Sequence, residues 1–247
     1  MTSLSQIAGV KAGPVPGIAG RFRPWKRALC ELPGMKKTSI LLVGLATAIT
    51  LPAGVSAMPG AEAWKIGPMV RGRNYSIGMP ANPRPAAKGA LAFDFPLDGR
   101  GQIDAMTTAI GPLAGAQRIT LRYRIDAAPR TRFVADESPQ EPATVSLYFQ
   151  RSNDQWSAKG RYGSYRWYAP GRAVVPLAPG VYTMTVRFDE MWTNVNGQPV
   201  SQQPDGFYGA LENTARVGLA FGSASRRSHG VYATGPARFT LLSFDIE

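Results

Sequence analysis

Residues 143–169 read ATVSLYFQRSNDQWSAKGRYGSYRWYA, two strand-like runs joined by a polar, glycine-containing connection and dense in Tyr and Trp. In the first run Val145, Leu147 and Phe149 fall on one face of a pleated strand, while Thr144, Ser146, Tyr148 and Gln150 fall on the other. One face is expected in the core and the other in water. In the second run Tyr165 and Trp167 share one parity, and Tyr162, Ser164, Arg166 and Tyr168 share the other. A polar face that keeps repeating aromatic rings suggests a β-hairpin with a ligand surface.

The same two-residue period extends outward from this hairpin. Upstream, Ile119, Leu121, Tyr123 and Ile125 oppose Thr120, Arg122 and Arg124, and before them Leu91, Phe93 and Phe95 share a face. Residues 126–142 hold Pro129, Pro139, Pro142, Asp136, Glu137 and Glu141 and read as a loop. Downstream of Pro179-Gly180, Tyr182, Met184, Val186 and Phe188 alternate with Thr183, Thr185 and Arg187. Asn196-Gly197 is a tight-turn signal. Pro204 to Asn213 is the one helical candidate, with Asp205 as its expected cap and Phe207 and Leu211 four apart. Residues 216–221 and 237–246 complete a set of short strands punctuated by Gly and Pro. This pattern predicts an all-β chain: an antiparallel two-sheet β-sandwich, a jelly roll, with one short helix.

The sandwich is expected over 90–247, preceded by an extended lead-in, rich in Gly, Pro and Ala, over 58–89. Upstream, Met35-Lys36-Lys37, an apolar run and Val55-Ser56-Ala57 have the three parts of a secretory signal. Cleavage is expected after Ala57, and residues 1–34 are read as an upstream artefact of the gene start or, alternatively, as an extended n-region. Gly44, Pro52 and Gly54 interrupt the apolar run before the roughly 20 residues that a membrane span needs. The mature protein is therefore expected to be exported, periplasmic or extracellular, without a permanent span.

Cleavage there leaves 190 of the 247 residues, enough for one domain with a substantial core. Seven basic residues and one acidic residue leave with the upstream part, so the formal charge falls from +12 to +6. The remaining cations are nearly all arginine, which suits planar anions. No nucleic-acid partner is expected for an exported chain without a dense basic stripe. Cys30 is the only cysteine and lies upstream of the signal, so the mature chain has no disulfide, thiol nucleophile or thiolate metal site. A single histidine, His229, excludes a multi-histidine zinc site.

The succession of Trp192, Val195-Asn196-Gly197, a short helix around 207–211, RVGLAFG at 216–222, HGVYATG at 229–235 and ARFTLLSFDI at 237–246 resembles carbohydrate-binding-module jelly rolls. Galactose-binding-like and family-11 carbohydrate-binding modules are of this kind. The resemblance covers the C-terminal third and consists of packing and turn residues. It implies a β-sandwich that binds a saccharide or polysaccharide. In several such families a structural calcium uses an acidic residue of the last strand, which implies Asp245 here. No further oxygen ligands stand out around it, and otherwise no cofactor is expected.

If the hairpin shares a sheet with the 117–125 and 180–188 strands, parity puts Arg122, Arg124, Tyr148, Gln150, Tyr162, Arg166, Tyr168 and Arg187 on one outward face. Arginine forks hold carboxylates, and aromatic rings cover the C–H face of a sugar. A Tyr or Trp of about 200 Å², half covered, would contribute about 2–3 kcal/mol. The same residue types also furnish ordinary solvent faces of sheets. Trp156, in the polar connection, is either a further platform or a lid folded back over the sandwich. Three functions follow: a non-catalytic binder of saccharides, acidic glycans included; a lyase on an anionic glycan, using His229 and Arg166; or a structural envelope protein that meets another protein through a sheet face. The acidic pairs Asp136-Glu137 and Asp189-Glu190 are chain neighbours, which point apart on a strand and do not make a glycosidase pair. Oligomeric state is not specified.

Overall fold

The computed structural model describes residues 58–247; the signal expected at 35–57 and everything before it, Cys30 included, lie outside the described residues. In chain order the strands are β1 (Trp64–Gly67), β2 (Met69–Val70), β3 (Arg73–Asn74), β4 (Arg84–Pro85), β5 (Leu91–Asp94), β6 (Ala105–Ala109), β7 (Arg118–Ala127), β8 (Phe133–Ala135), β9 (Thr144–Arg151), β10 (Arg166–Tyr168), β11 (Val174–Pro176), β12 (Gly180–Arg187), β13 (Thr193–Asn194), β14 (Thr214–Gly222), β15 (Val231–Ala233) and β16 (Ala237–Ile246). One helix, α1 (Pro204–Glu212), lies between β13 and β14.

Two antiparallel sheets form a sandwich of jelly-roll type. One has seven strands in the order β1-β6-β14-β9-β10-β13, with β11 also on β9; the other has five, in the order β12-β7-β16-β5-β4. The hairpin predicted from 143–169 is present: Arg166, Trp167 and Tyr168 of β10 lie opposite Gln150, Phe149 and Tyr148 of β9. Its partner on the other side is β14, where Val217, Leu219 and Phe221 oppose Phe149, Leu147 and Val145. These six apolar side chains all point to the facing sheet and are wholly buried.

The facing sheet answers with Ile119, Leu121, Tyr123 and Ile125 of β7, whose burial alternates strictly with Thr120, Arg122 and Arg124. Aromatic edges lock the layers, since Phe221 meets Phe93 at 5.6 Å and Phe239 at 5.5 Å, both edge-to-face. Each such buried side chain contributes about 1.5–3 kcal/mol through area alone. At the other end of the core Phe149, Phe188, Trp192 and Trp167 pack around Phe207 of α1. The helix starts with Pro204 in its first turn, as a fixed φ and missing N–H favour. Asp205 does not cap it; Gln203 takes the cap position without a side-chain bond, and Asp205 lies in the first turn, where a carboxylate complements the helix dipole. The Asn196-Gly197 turn forms, with Gly197 N–H donating to Asn194 O and φ at +77°.

Residues 58–89 are not a plain lead-in. β1 completes the edge of the seven-stranded sheet through pairing with β6, with Trp64 and Ile66 buried, and β4 lies on the edge of the other sheet. The Gly, Pro and Ala content of this segment hid strands of two to four residues, too short to show a period. Among the described residues no helix is long and apolar enough to cross a membrane.

Candidate functional site

The outer face of the seven-stranded sheet carries the site, and its floor begins with β14. In RVGLAFG the inward positions are Val217, Leu219 and Phe221, leaving Gly218, Ala220 and Gly222 outward. This row of small residues, with Ala105 of β6 beside it, makes a depression that accepts the Tyr148 ring from β9. Tyr148 is fully buried there, and Tyr168 packs at 5.8 Å from it. Contrary to the expected wet face, every residue of β9 from Thr144 to Gln150 is buried on both sides of the strand.

Two segments cover that face. The first is the hairpin connection, pinned by Asp154. Its carboxylate accepts from Arg166 Nη1 at 2.8 Å, from Gln150 Nε2 at 3.0 Å and from the backbone N–H of Trp156 at 3.0 Å. The Asp154 and Arg166 side chains are 1% and 4% exposed. Burial by itself lowers the Arg166 guanidinium, but Tyr168 and Asp154 outweigh it and raise it. The turn over Asn153 and Trp156, both at positive φ, then lays the indole on Arg166, 4.3 Å from the guanidinium carbon, and edge-on to Tyr148 at 5.7 Å. Trp156 is thus folded back over the sheet, half-buried.

The second cover is the loop 223–230. It turns back directly after β14 because Gly222 has no side chain: a Cβ there would sit 2.1 Å from Arg226 O. Ser223 N–H donates to Arg226 O, Arg227 Nη1 to Ala169 O at 2.7 Å, and Tyr168 Oη to Ser228 Oγ at 3.5 Å. Gly222→Ala is expected to displace this loop and cost about 1–3 kcal/mol through overpacking. Thermal denaturation checks it; an unchanged midpoint would mean that the loop adjusts freely.

Between these covers and the β2–β3 hairpin opens a cleft of about 390 Å³. Trp156, Tyr168 and Tyr75 supply its rings, Asn194, Gln102 and Ser228 its uncharged polar groups, and Arg166, Arg227, Asp104, Glu137 and His229 its ionisable ones. His229 Nδ1 lies 2.9 Å from Glu137 Oε2, and both side chains are about half exposed. Asp104, only 4% exposed, accepts from Gln102 Nε2 at 2.8 Å. Burial pushes its carboxyl up to about 7; the Gln102 bond opposes this, and the nearby Glu137 and Asp136 charges reinforce it.

Of the sequence-predicted residues, Tyr148, Gln150, Arg166 and Tyr168 do share one face, joined by Trp156. Tyr148 and Gln150 lie beneath the floor rather than in the cleft lining. The expected open platform is instead a covered floor, because the connection and the 223–230 loop fold over it. Tyr162 leaves the set: residues 160–164 form a 3₁₀ turn, which breaks the strand parity, and its ring packs on Tyr165 and under Arg161. Arg122, Arg124 and Arg187 belong to β7 and β12 of the five-stranded sheet, on its outer face, where Arg124 pairs with Asp126 and Arg187 with Asp189. Parity within each strand was legible; sheet membership was not. Asp245 lies on β16 opposite Thr120, and no group of three or more potential metal ligands occurs among the described residues. Sequence reasoning missed Asp154, Asp104 and Arg227, three single charged residues in loops or at a strand edge. Only Asp154 carried a signal, two residues before a tryptophan in a polar turn.

No family model matches the chain, and no curated protein matches it. Solved structures do. Xylanase 10C from Cellvibrio japonicus, in complex with xylopentaose, is 12% identical over 76% of this chain, with a TM-score of 0.37, and this chain spans 28% of that one. A structure from a study of endo-acting O-glycanases of the human gut microbiota is also 12% identical, covering 76% of this chain and 93% of its own, with a TM-score of 0.36. The Lotus tetragonolobus seed lectin is 12% identical over 67% of this chain and 91% of its own, with a TM-score of 0.30. These likenesses assign no function; the chain is described by what it is built as, an antiparallel jelly-roll sandwich with a cleft on one outer face.

Proposed function

We propose that this is an exported, non-catalytic saccharide-binding domain that takes its ligand in the cleft over β9, β10 and β14. One observation carries it: a concave, open site of ligand size lined by the Trp156, Tyr168 and Tyr75 rings together with hydrogen-bonding groups. A sugar has the matching surface, with apolar C–H faces for the rings and hydroxyls for Asn194, Gln102, Ser228 and Asp104. Titration of the protein with a panel of neutral and acidic oligosaccharides, followed by tryptophan fluorescence, tests it. Trp156→Ala is expected to weaken binding at least about tenfold, the worth of one aromatic contact. Arg122→Ala, Arg124→Ala and Arg187→Ala are expected to change it not at all. The reverse pattern would move the site to the five-stranded sheet and end the assignment to the cleft.

One observation favours a second function, a polysaccharide lyase on an anionic glycan: Arg166 and His229 line the same cleft. Such an enzyme would produce an unsaturated uronate, visible by its ultraviolet absorbance, and lose that product in His229→Ala. Binding without product supports the non-catalytic assignment.

A further inference from the structure

We propose that Arg227 is the anion receptor of the cleft, so that the ligand is a saccharide bearing a carboxylate or a sulfate; this rests on the saccharide-binding function above. The cleft holds two guanidiniums in opposite situations. Arg166 is matched: Asp154 neutralises it, Tyr168 Oη accepts from its Nε at 3.0 Å, and Trp156 covers it. It is part of the floor and has little left to give a ligand. Arg227 is half-buried and lines the same cleft, yet forms no ion pair with any described carboxylate. Its one acceptor among the described residues is the neutral Ala169 O, and its guanidinium carbon stands 5.6 Å from the centre of the Tyr168 ring.

Burial lowers the Arg227 guanidinium, and only Tyr168 acts the other way; no carboxylate offsets the loss of hydration. A partly desolvated cation without a counter-charge is costly, and an anion delivered by a ligand would remove that cost. The two carboxyls of the cleft do not compete for the role. Glu137 is held by His229, and Asp104 is held by Gln102. The planar fork of arginine accepts carboxylate and sulfate alike through paired N–H bonds, and the neighbouring Tyr168 and Trp156 rings would lie against the sugar that carries the anion.

The full chain is titrated with oligogalacturonate and its neutral methyl ester, with a sulfated galactan and its desulfated form, and with sodium sulfate. Tryptophan fluorescence reports the cleft, because Trp64, Trp167 and Trp192 are fully buried and Trp156 alone of the described tryptophans lines it. At least one anionic glycan is expected to bind about tenfold to a hundredfold tighter than its neutral partner, as a charged hydrogen-bonding pair warrants. Arg227→Gln, which keeps a donor for Ala169 O, should erase that ratio; Arg227→Lys should keep part of it. A preference for the uronate identifies a carboxylate ligand, and a preference for the galactan a sulfate ester; either supports the proposal. Equal binding of charged and neutral partners, or an anion preference that survives Arg227→Gln, overturns it and leaves saccharide binding intact. Sodium sulfate binding as tightly as the sulfated galactan overturns it as well, since the sugar would then contribute nothing. Failure of every saccharide to bind overturns the saccharide function itself.

Discussion

Asp154→Ala is expected to destabilise the fold by about 3–5 kcal/mol, the cost of leaving one member of a buried ion pair without its partner. Arg166 would keep its charge at 4% side-chain exposure with only Tyr168 Oη as acceptor, and Gln150 Nε2 and the Trp156 N–H would each lose their acceptor as well. Urea denaturation measures the loss directly. The double variant Asp154→Ala with Arg166→Met should recover a large part of it, because a methionine removes the uncompensated charge and refills the space under Trp156. A single-variant loss of under about 1 kcal/mol would place the pair in the class of surface bridges and contradict its burial. The functional consequence runs through the same carboxylate. Without Asp154 the turn that lays Trp156 on the sheet has lost its anchor, so cleft binding should fall even under conditions where the protein is still folded.

The second large effect belongs to Asp104 and shows in the pH dependence of stability. Its carboxyl is raised from 3.8 to about 7 in the folded protein, chiefly by burial. Between those values the folded chain retains a proton that the unfolded chain has released. Stability from this group is therefore complete below about pH 4 and lost progressively as the pH rises toward 7, a total of about 4 kcal/mol at 1.36 kcal/mol per unit. Asp104→Asn cannot ionise and can still accept from Gln102, so it should remove this slope and leave the protein more stable than the parent at pH 8. The comparison cancels titrating groups that the substitution does not touch. Parallel stability curves for parent and variant from pH 4 to 8 would mean that Asp104 ionises as an ordinary surface carboxylate.

A buried acid and a half-buried arginine without a counter-charge line one cleft, and burial disfavours the charged form of each. Groups that are costly to the fold and open to a cleft are where a ligand's contribution is to be sought. The outward arginines of the five-stranded sheet make the contrast. Several are paired with neighbouring acids at half-exposed positions, where such pairs contribute little.

What the amino-acid sequence determined by itself is the local part. Alternation in 119–125, 145–149, 182–188 and 216–222 is enough to define which side chains point inward, because a strand has a period of two and a slip of one residue would exchange core for solvent. From that follow the all-β class, the two layers, the β9–β10 hairpin and the common face of Tyr148, Gln150, Arg166 and Tyr168. The small residues at 218, 220 and 222 were also in view, although their role as a seat for Tyr148 shows only once β9 lies beside β14. What the tertiary structure decided is which strands share a sheet and what lies over each face. Strand parity carries no information on either, since pairing partners come from segments up to 150 residues apart, as Leu91 and Leu241 are, and their choice rests on the whole core. That is why Arg122, Arg124 and Arg187 went to the far layer, and why a face that looked wet became the covered floor of a cleft. It is also why Asp154, Asp104 and Arg227, each an isolated charge in a loop or at a strand edge, acquired meaning only from the neighbours that folding brought to them.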